Sequence, residues 1–309
     1  MKEKRYPKTI LATACVPWTP SYEFDEASFR KEVQGLIKRG IRNIYLFGTA
    51  GEGYAVNEKQ FEDIVTVFAE EMKSPDLFPM VGIISLSMKT MLDRIDKCRS
   101  IGIKDFQFSL PSWGALTDTE LNDFVHGICD PFPECRFLNY NLARTKRLLG
   151  IKDFEALSME VPNLAGVKFS TTDANTILSI AASSCPLRFF FTETGYGFGS
   201  LTGDFGLLLS IATSRIERAW EYLDSAVEKG PGLTLEMQKE LTAMVWQLIE
   251  MTGSPKIDGA YDKMFCKLLD PDFPIRLLPP YECNTDESVE EYRSFLRKEY
   301  PQWLEEETC

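Results

Sequence analysis

Residues 41–68 read IRNIYLFGTAGEGYAVNEKQFEDIVTVF. Residues 41–47 are a short apolar run of strand length, with isoleucine, tyrosine and phenylalanine prominent. Gly48, Gly51 and Gly53 then punctuate a turn. Asn57 and Gln60 stand at capping-box spacing ahead of Phe61, Ile64, Val65 and Phe68, whose intervals put them on one face of a helix. The stretch is one strand–loop–helix unit.

The same unit recurs on both sides. Residues 9–16 read as a strand, and Asp25 caps a helix whose apolar stripe is Phe29, Val33, Leu36 and Ile37, closed by Gly40. Further strands are expected at 80–84, 106–110, 137–141, 166–170, 188–192 and 205–211. A helix is expected at 88–100, and another opens at Thr117 with Glu120 and turns Leu121, Phe124, Val125 and Ile128 inward. Helical pattern also surrounds Asp153, Asp173 and Ser214, while the link before the last strand looks short. Eight strands alternating with helices over about 225 residues predict an α/β fold, a (β/α)8 TIM barrel. A doubly wound open sheet competes with it, because alternation alone does not prove closure. After Gly230-Pro231-Gly232 the strands stop, and 233–251, 258–269 and 287–303 read as helices. The chain is therefore expected to divide into a barrel carrying the active site at 1–229 and an all-helical C-terminal extension at 230–309.

Composition narrows the partners. With 34 basic and 46 acidic residues the net charge is −12, which repels phosphate backbones and anionic lipid, so no nucleic acid and no membrane is expected. A small anionic substrate remains compatible with a locally positive pocket. No apolar run approaches the ~18 residues of a membrane span. Eight cysteines carry no C-x-x-C pair, and a single histidine leaves no zinc-type ligand set, so no metal is expected. Residues 1–8 are polar and basic rather than a signal peptide. The expectation is a cytoplasmic protein with reduced thiols.

In such a barrel, chemistry sits where strands end. That rule selects Thr49 and Glu52 after the second strand, Ser112 and Trp113 after the fourth, and Tyr140, Asn141 and Arg144 after the fifth. It adds Lys168 and Ser170 on the sixth and Glu193 after the seventh. Lys168 interrupts an apolar strand, where an ammonium is costly unless paired or neutralised. One reading is a lysine salt-bridged or snorkelling at a strand end; the other is a desolvated amine that attacks carbonyls. Tyr140 is either a core aromatic with a satisfied hydroxyl or a proton donor beside that amine. His126 falls off the apolar stripe of its helix and reads as solvated. The run from Gly195 to Gly199 reads as a flexible turn, with phosphate binding as the alternative.

Gly48-Thr-Ala-Gly-Glu52, Tyr140-Asn141, Gly166-Val-Lys168 and Ile275-Arg-Leu-Leu-Pro-Pro280 occur in an order and spacing that resemble the dihydrodipicolinate synthase / N-acetylneuraminate lyase family of class I, Schiff-base pyruvate aldolases, over essentially the whole chain. The resemblance implies that Lys168 forms a Schiff base with a 2-oxo acid, that Tyr140 is the general acid/base and that Thr49 relays its protons. It further implies that the backbone N–H groups of Ala50 and Gly51 hold the substrate carboxylate, that no cofactor is needed and that the chain forms a homotetramer or homodimer. Arg144 would face a second carboxylate, and Glu193 is counted among the substrate-binding residues.

Three departures qualify the likeness. Ala50 replaces a hydroxyl residue, removing one hydrogen bond worth about 1 kcal/mol. Trp113 stands where the synthase branch has a relay tyrosine, and the proline expected after Tyr-Asn is absent. These speak against lysine-pathway synthase activity. Trp113 instead resembles the hydratase-aldolase branch, as a stacking wall for an aromatic aldehyde, or else it plugs the pocket mouth or a subunit contact. The expected function is a lyase joining or splitting a 2-oxo acid and an aldehyde. A 2-keto-3-deoxy sugar acid dehydratase, an aromatic hydratase-aldolase and an inactive oxo-acid-binding protein are the alternatives.

Overall fold

The sheet is closed. Its strands are β1 (Ile10–Ala14), β2 (Asn43–Leu46), β3 (Phe78–Gly82), β4 (Asp105–Phe108), β5 (Arg136–Asn141), β6 (Leu164–Phe169), β7 (Arg188–Thr192) and β8 (Gly206–Leu209). All pair in parallel in sequence order, and β8 returns to β1 through Ile10 opposite Leu207, which excludes the open-sheet alternative. This computed structural model describes residues 3–253 and 255–305. Cys309, Met1 and Lys2, which entered the sequence reading, lie outside the described residues; the seven described cysteines are unpaired.

Helices α1 (Glu26–Lys38), α2 (Glu58–Glu71), α3 (Met88–Ser100) and α4 (Asp118–Cys129) start where cap chemistry dictates. Asp25 accepts from the Ser28 amide, and the Asn57–Gln60 and Thr117–Glu120 capping boxes are complete. The ring continues with α5 (Ile151–Glu160), α6 (Ala174–Ala182), α7 (Glu193–Ser200) and α8 (Ile216–Glu228). Outward strand residues such as Ile44, Phe106, Phe137 and Phe189 bury themselves against these helices. Inward residues Leu11, Tyr45, Met80, Leu138, Phe190 and Leu208 fill the barrel. Tyr6 stoppers its N-terminal end: its hydroxyl donates to Asp105, which Arg136 clamps with two further bonds while lying over the Tyr6 ring. With the interior filled and this end stoppered, chemistry is left to the C-terminal mouth of the barrel.

The Gly195–Gly199 run is not a turn. It forms most of α7, and the connection between β7 and β8 is a short helix. A Cβ on Gly195 would strike the Thr171 carbonyl, and one on Gly197 would strike Gln238 and Tyr222. These glycines let α7 pack close to its neighbours. The amide of Phe198 is already spent on Gln238.

Beyond Gly230 come α9 (Pro231–Met251), α10 (Asp258–Leu269) and α11 (Asp286–Glu299). The extension is bolted to the barrel by a fully buried ion pair, Lys263 to Glu52. Glu52 also accepts from the Trp18 indole and the Leu278 amide. Its role is therefore to join the loop after β2 to α10. Among the described residues no helix is long and apolar enough to cross a membrane, and no group of three potential ligands could hold a metal.

Candidate active site

A register shift between β5 and β6 at Phe137 and Leu138 sets Tyr140 directly beside Lys168. Both side chains point inward at the top of the barrel, as does Tyr45 from β2. The Lys168 amine lies 4.0 Å from the centre of the Tyr140 ring and 4.4 Å from that of Tyr45, and it donates to the Tyr45 hydroxyl at 2.8 Å. It is 4% exposed, and burial pushes its pKa down to about 8 against the attraction of Asp258 and Asp262. Burial also raises the Tyr140 and Tyr45 phenols, so both keep their protons near neutrality. Thr49 is near enough to the Tyr140 hydroxyl to offset a little of that rise.

Lys168 opens into a cavity of about 660 Å³ whose wall includes Ala50, Tyr140, Arg144, Ser170, Thr192 and Ser210. Two carboxylates from α10 complete it. Asp258 takes a two-pronged ion pair from Arg144, and the Tyr140 hydroxyl lies 3.5 Å from it. Burial raises Asp258, but Arg144 outweighs burial and holds it below the usual carboxylate range. Asp262, one turn further on, accepts from Ser210 at 3.0 Å and pairs with no described cation. Burial, then repulsion from Asp258, pushes it up to about 7.

Lys168, Tyr140, Ala50 and Arg144 therefore converge on one mouth, while Thr49 lines the neighbouring cavity. Gly51 sits behind the mouth, where a Cβ would meet the backbone of Phe47 and Ala14. Glu193 is buried and turned from the cavity toward the Ser210 and Ala212 amides, and burial pushes it up to about 7 despite them. Asn141 is committed to the Leu149 backbone in both directions. Trp113 is 86% exposed and lines neither this cavity nor its neighbour. That neighbour, about 800 Å³, holds Thr49, Tyr54, Ser109 and Ser112, and shares Leu142 and Arg144 with the first. His126 lies at the surface, bonded to Asp130 and Glu160.

Sequence reasoning missed Tyr45, Asp258 and Asp262. Tyr45 belonged to an expected strand, but its facing partner across the barrel follows only from closure. Asp262 and Lys263 interrupt the apolar face of α10, a signal visible in the sequence had the extension been searched for chemistry.

The profile of the dihydrodipicolinate synthetase family matches residues 6–191. An N-acetylneuraminate lyase of Escherichia coli (strain SMS-3-5 / SECEC) is 24% identical over 172 residues, 55% of this chain and 51% of that protein. The chain spans about half the length of the curated relatives it matches. Among solved structures, Proteus mirabilis N-acetylneuraminate lyase superposes with a TM-score of 0.82 at 15% identity, covering 94% of this chain and 98% of the other. YagE, a prophage protein of the dihydrodipicolinic acid synthase family from E. coli K12 solved with pyruvate, gives 0.82 at 13% identity, covering 94% and 97%. At these identities the superpositions speak for the fold. Members of this family are class I aldolases and lyases. By the match over most of its barrel, the chain belongs to the dihydrodipicolinate synthetase family.

Proposed function

We propose that the protein is a carbon–carbon lyase that forms a Schiff base between Lys168 and the C2 carbonyl of a 2-oxo acid such as pyruvate, and makes or breaks the bond from C3 to an aldehyde. The observation that carries this reading is the buried Lys168 amine, pushed down to about 8 and held between two phenols at the floor of an open cavity. A desolvated amine near neutrality is a carbonyl nucleophile, and its protonated imine draws electrons from C3.

Tyr140 stands beside the nitrogen and serves as general acid/base, with Thr49 passing protons to it. The turn carrying Ala50 and Gly51 offers the substrate carboxylate its backbone donors. Tyr45 orients the amine through their hydrogen bond. Arg144, already paired with Asp258, answers a second carboxylate only by exchanging partners. In this proposal the barrel at 1–229 holds the site, the extension at 230–309 completes its rim, and the chain works in the cytoplasm as a homotetramer or homodimer without a cofactor.

Proton exchange tests the reading. In deuterium oxide the protein should wash the methyl protons out of pyruvate, seen by NMR, and Lys168→Ala should not. Wild-type protein that leaves pyruvate and longer 2-oxo acids unexchanged overturns the proposal. With a 2-keto-3-deoxy sugar acid supplied instead, release of two carbonyl compounds marks a lyase, and a single carbonyl product marks a dehydratase.

A further inference from the structure

The helical extension contributes a carboxyl group that neither the barrel motifs nor the steps above employ. Asp262 lines the Lys168 cavity, is buried, has Ser210 as its hydrogen-bond donor and pairs with no described cation. Its helix neighbour Asp258, four residues earlier, lines the same cavity but is occupied by Arg144. A buried acid without a cation costs stability, and such groups cluster at functional sites. We infer that Asp262 is the acid that drives dehydration of the Lys168 carbinolamine and then stays as the counter-ion of the iminium.

Neutral Lys168 attacks C2: the N–C bond forms, the carbonyl π pair moves to oxygen, and one proton passes from nitrogen to that oxygen. The carbinolamine then loses its hydroxyl. The nitrogen lone pair becomes the C=N bond, the C–O bond breaks with its electron pair, and the Asp262 carboxyl proton joins the departing oxygen as water. An iminium cation is left facing the Asp262 carboxylate, and hydrolysis runs the same path backwards. Tyr140 is thereby free for the proton at the aldehyde oxygen.

The charge setting suits this. Asp262 is pushed up to about 7, so a useful fraction is protonated near neutrality, and the attraction between it and Lys168 grows once the imine is permanently charged. The other titratable groups acting on it are Asp258 from its own helix and Glu193 from α7. Tyr45, Tyr140, Cys15 and Cys266 feel its charge in turn.

The inference rests on the Schiff-base reading, and its test separates the two. Full-length protein is mixed with pyruvate from about pH 5.5 to about pH 9, aged for set times, quenched into borohydride and weighed intact. Wild-type adduct formation should rise with Lys168 deprotonation and fall again as Asp262 loses its proton. Asp262→Asn should slow it by roughly a hundredfold near neutrality and abolish the falling limb. Ser210→Ala keeps the acid but removes a bond that favours its anion, so the falling limb should move to higher pH. Near-UV circular dichroism checks that both variants fold. An Asp262→Asn protein that forms adduct at the wild-type rate, or more slowly with an unchanged pH shape, overturns the role of Asp262 while leaving Lys168 in place. No adduct in wild type removes both readings.

Discussion

At the scale of the residue, the site depends on what burial does to ordinary groups. Tyr140→Phe keeps the ring over Lys168 but removes its proton, so kcat should fall by about 10²–10³-fold with little change in adduct formation, read by steady-state kinetics beside trapping. Asp262 makes a second prediction through stability. Its folded pKa of about 7 lies above the usual carboxylate value, so the folded state keeps a proton that the unfolded chain has lost. That contribution is fully present below about pH 4 and is lost as pH rises through about 7. Urea unfolding should therefore show Asp262→Asn gaining on wild type across that window and levelling above it. Lys168 was legible because a cation inside an apolar strand needs a reason. Its partner Tyr45 was not, because two residues 123 apart meet only once the sheet has closed.

At the scale of the element, local rules carried far. The capping boxes at Asn57 and Thr117 fall where their spacing places them, and α3 spans the expected 88–100. β3 begins two residues earlier than its apolar pattern, at Phe78, because the amide of Phe78 bonds to Arg42 and starts the ladder with β2. The helix α7 was hidden because glycine disfavours helices, and what overrides that preference is close packing against residues distant in the chain. Gly195→Ala should therefore destabilise the protein by about 1–3 kcal/mol, despite its better helix propensity, because the new methyl meets the Thr171 backbone. Chemical denaturation measures this, and an unchanged or raised midpoint would contradict it.

Over the whole molecule, barrel and extension depend on one junction. Glu52 and Lys263 are both wholly buried and tie the loop that carries Thr49 and Ala50 to the helix that carries Asp258 and Asp262. Removing one partner leaves a buried charge, so Lys263→Met should cost about 3–5 kcal/mol in urea unfolding. A loss within experimental error would show that the pair does not hold the rim together. The eightfold alternation revealed the barrel, and the helical tail was visible after Gly230. What could not be read was that the tail reaches into the mouth, since α10 has no local pattern naming its neighbour.

Every step proposed for the cavity passes through a covalent imine on Lys168. The most direct measurement is to incubate the protein with pyruvate, reduce with borohydride and weigh the intact chain beside Lys168→Ala. A single reduced pyruvate adduct in wild type, absent from the variant, is the predicted result. No adduct with pyruvate or with longer 2-oxo acids, or an adduct that persists in Lys168→Ala, would contradict the account.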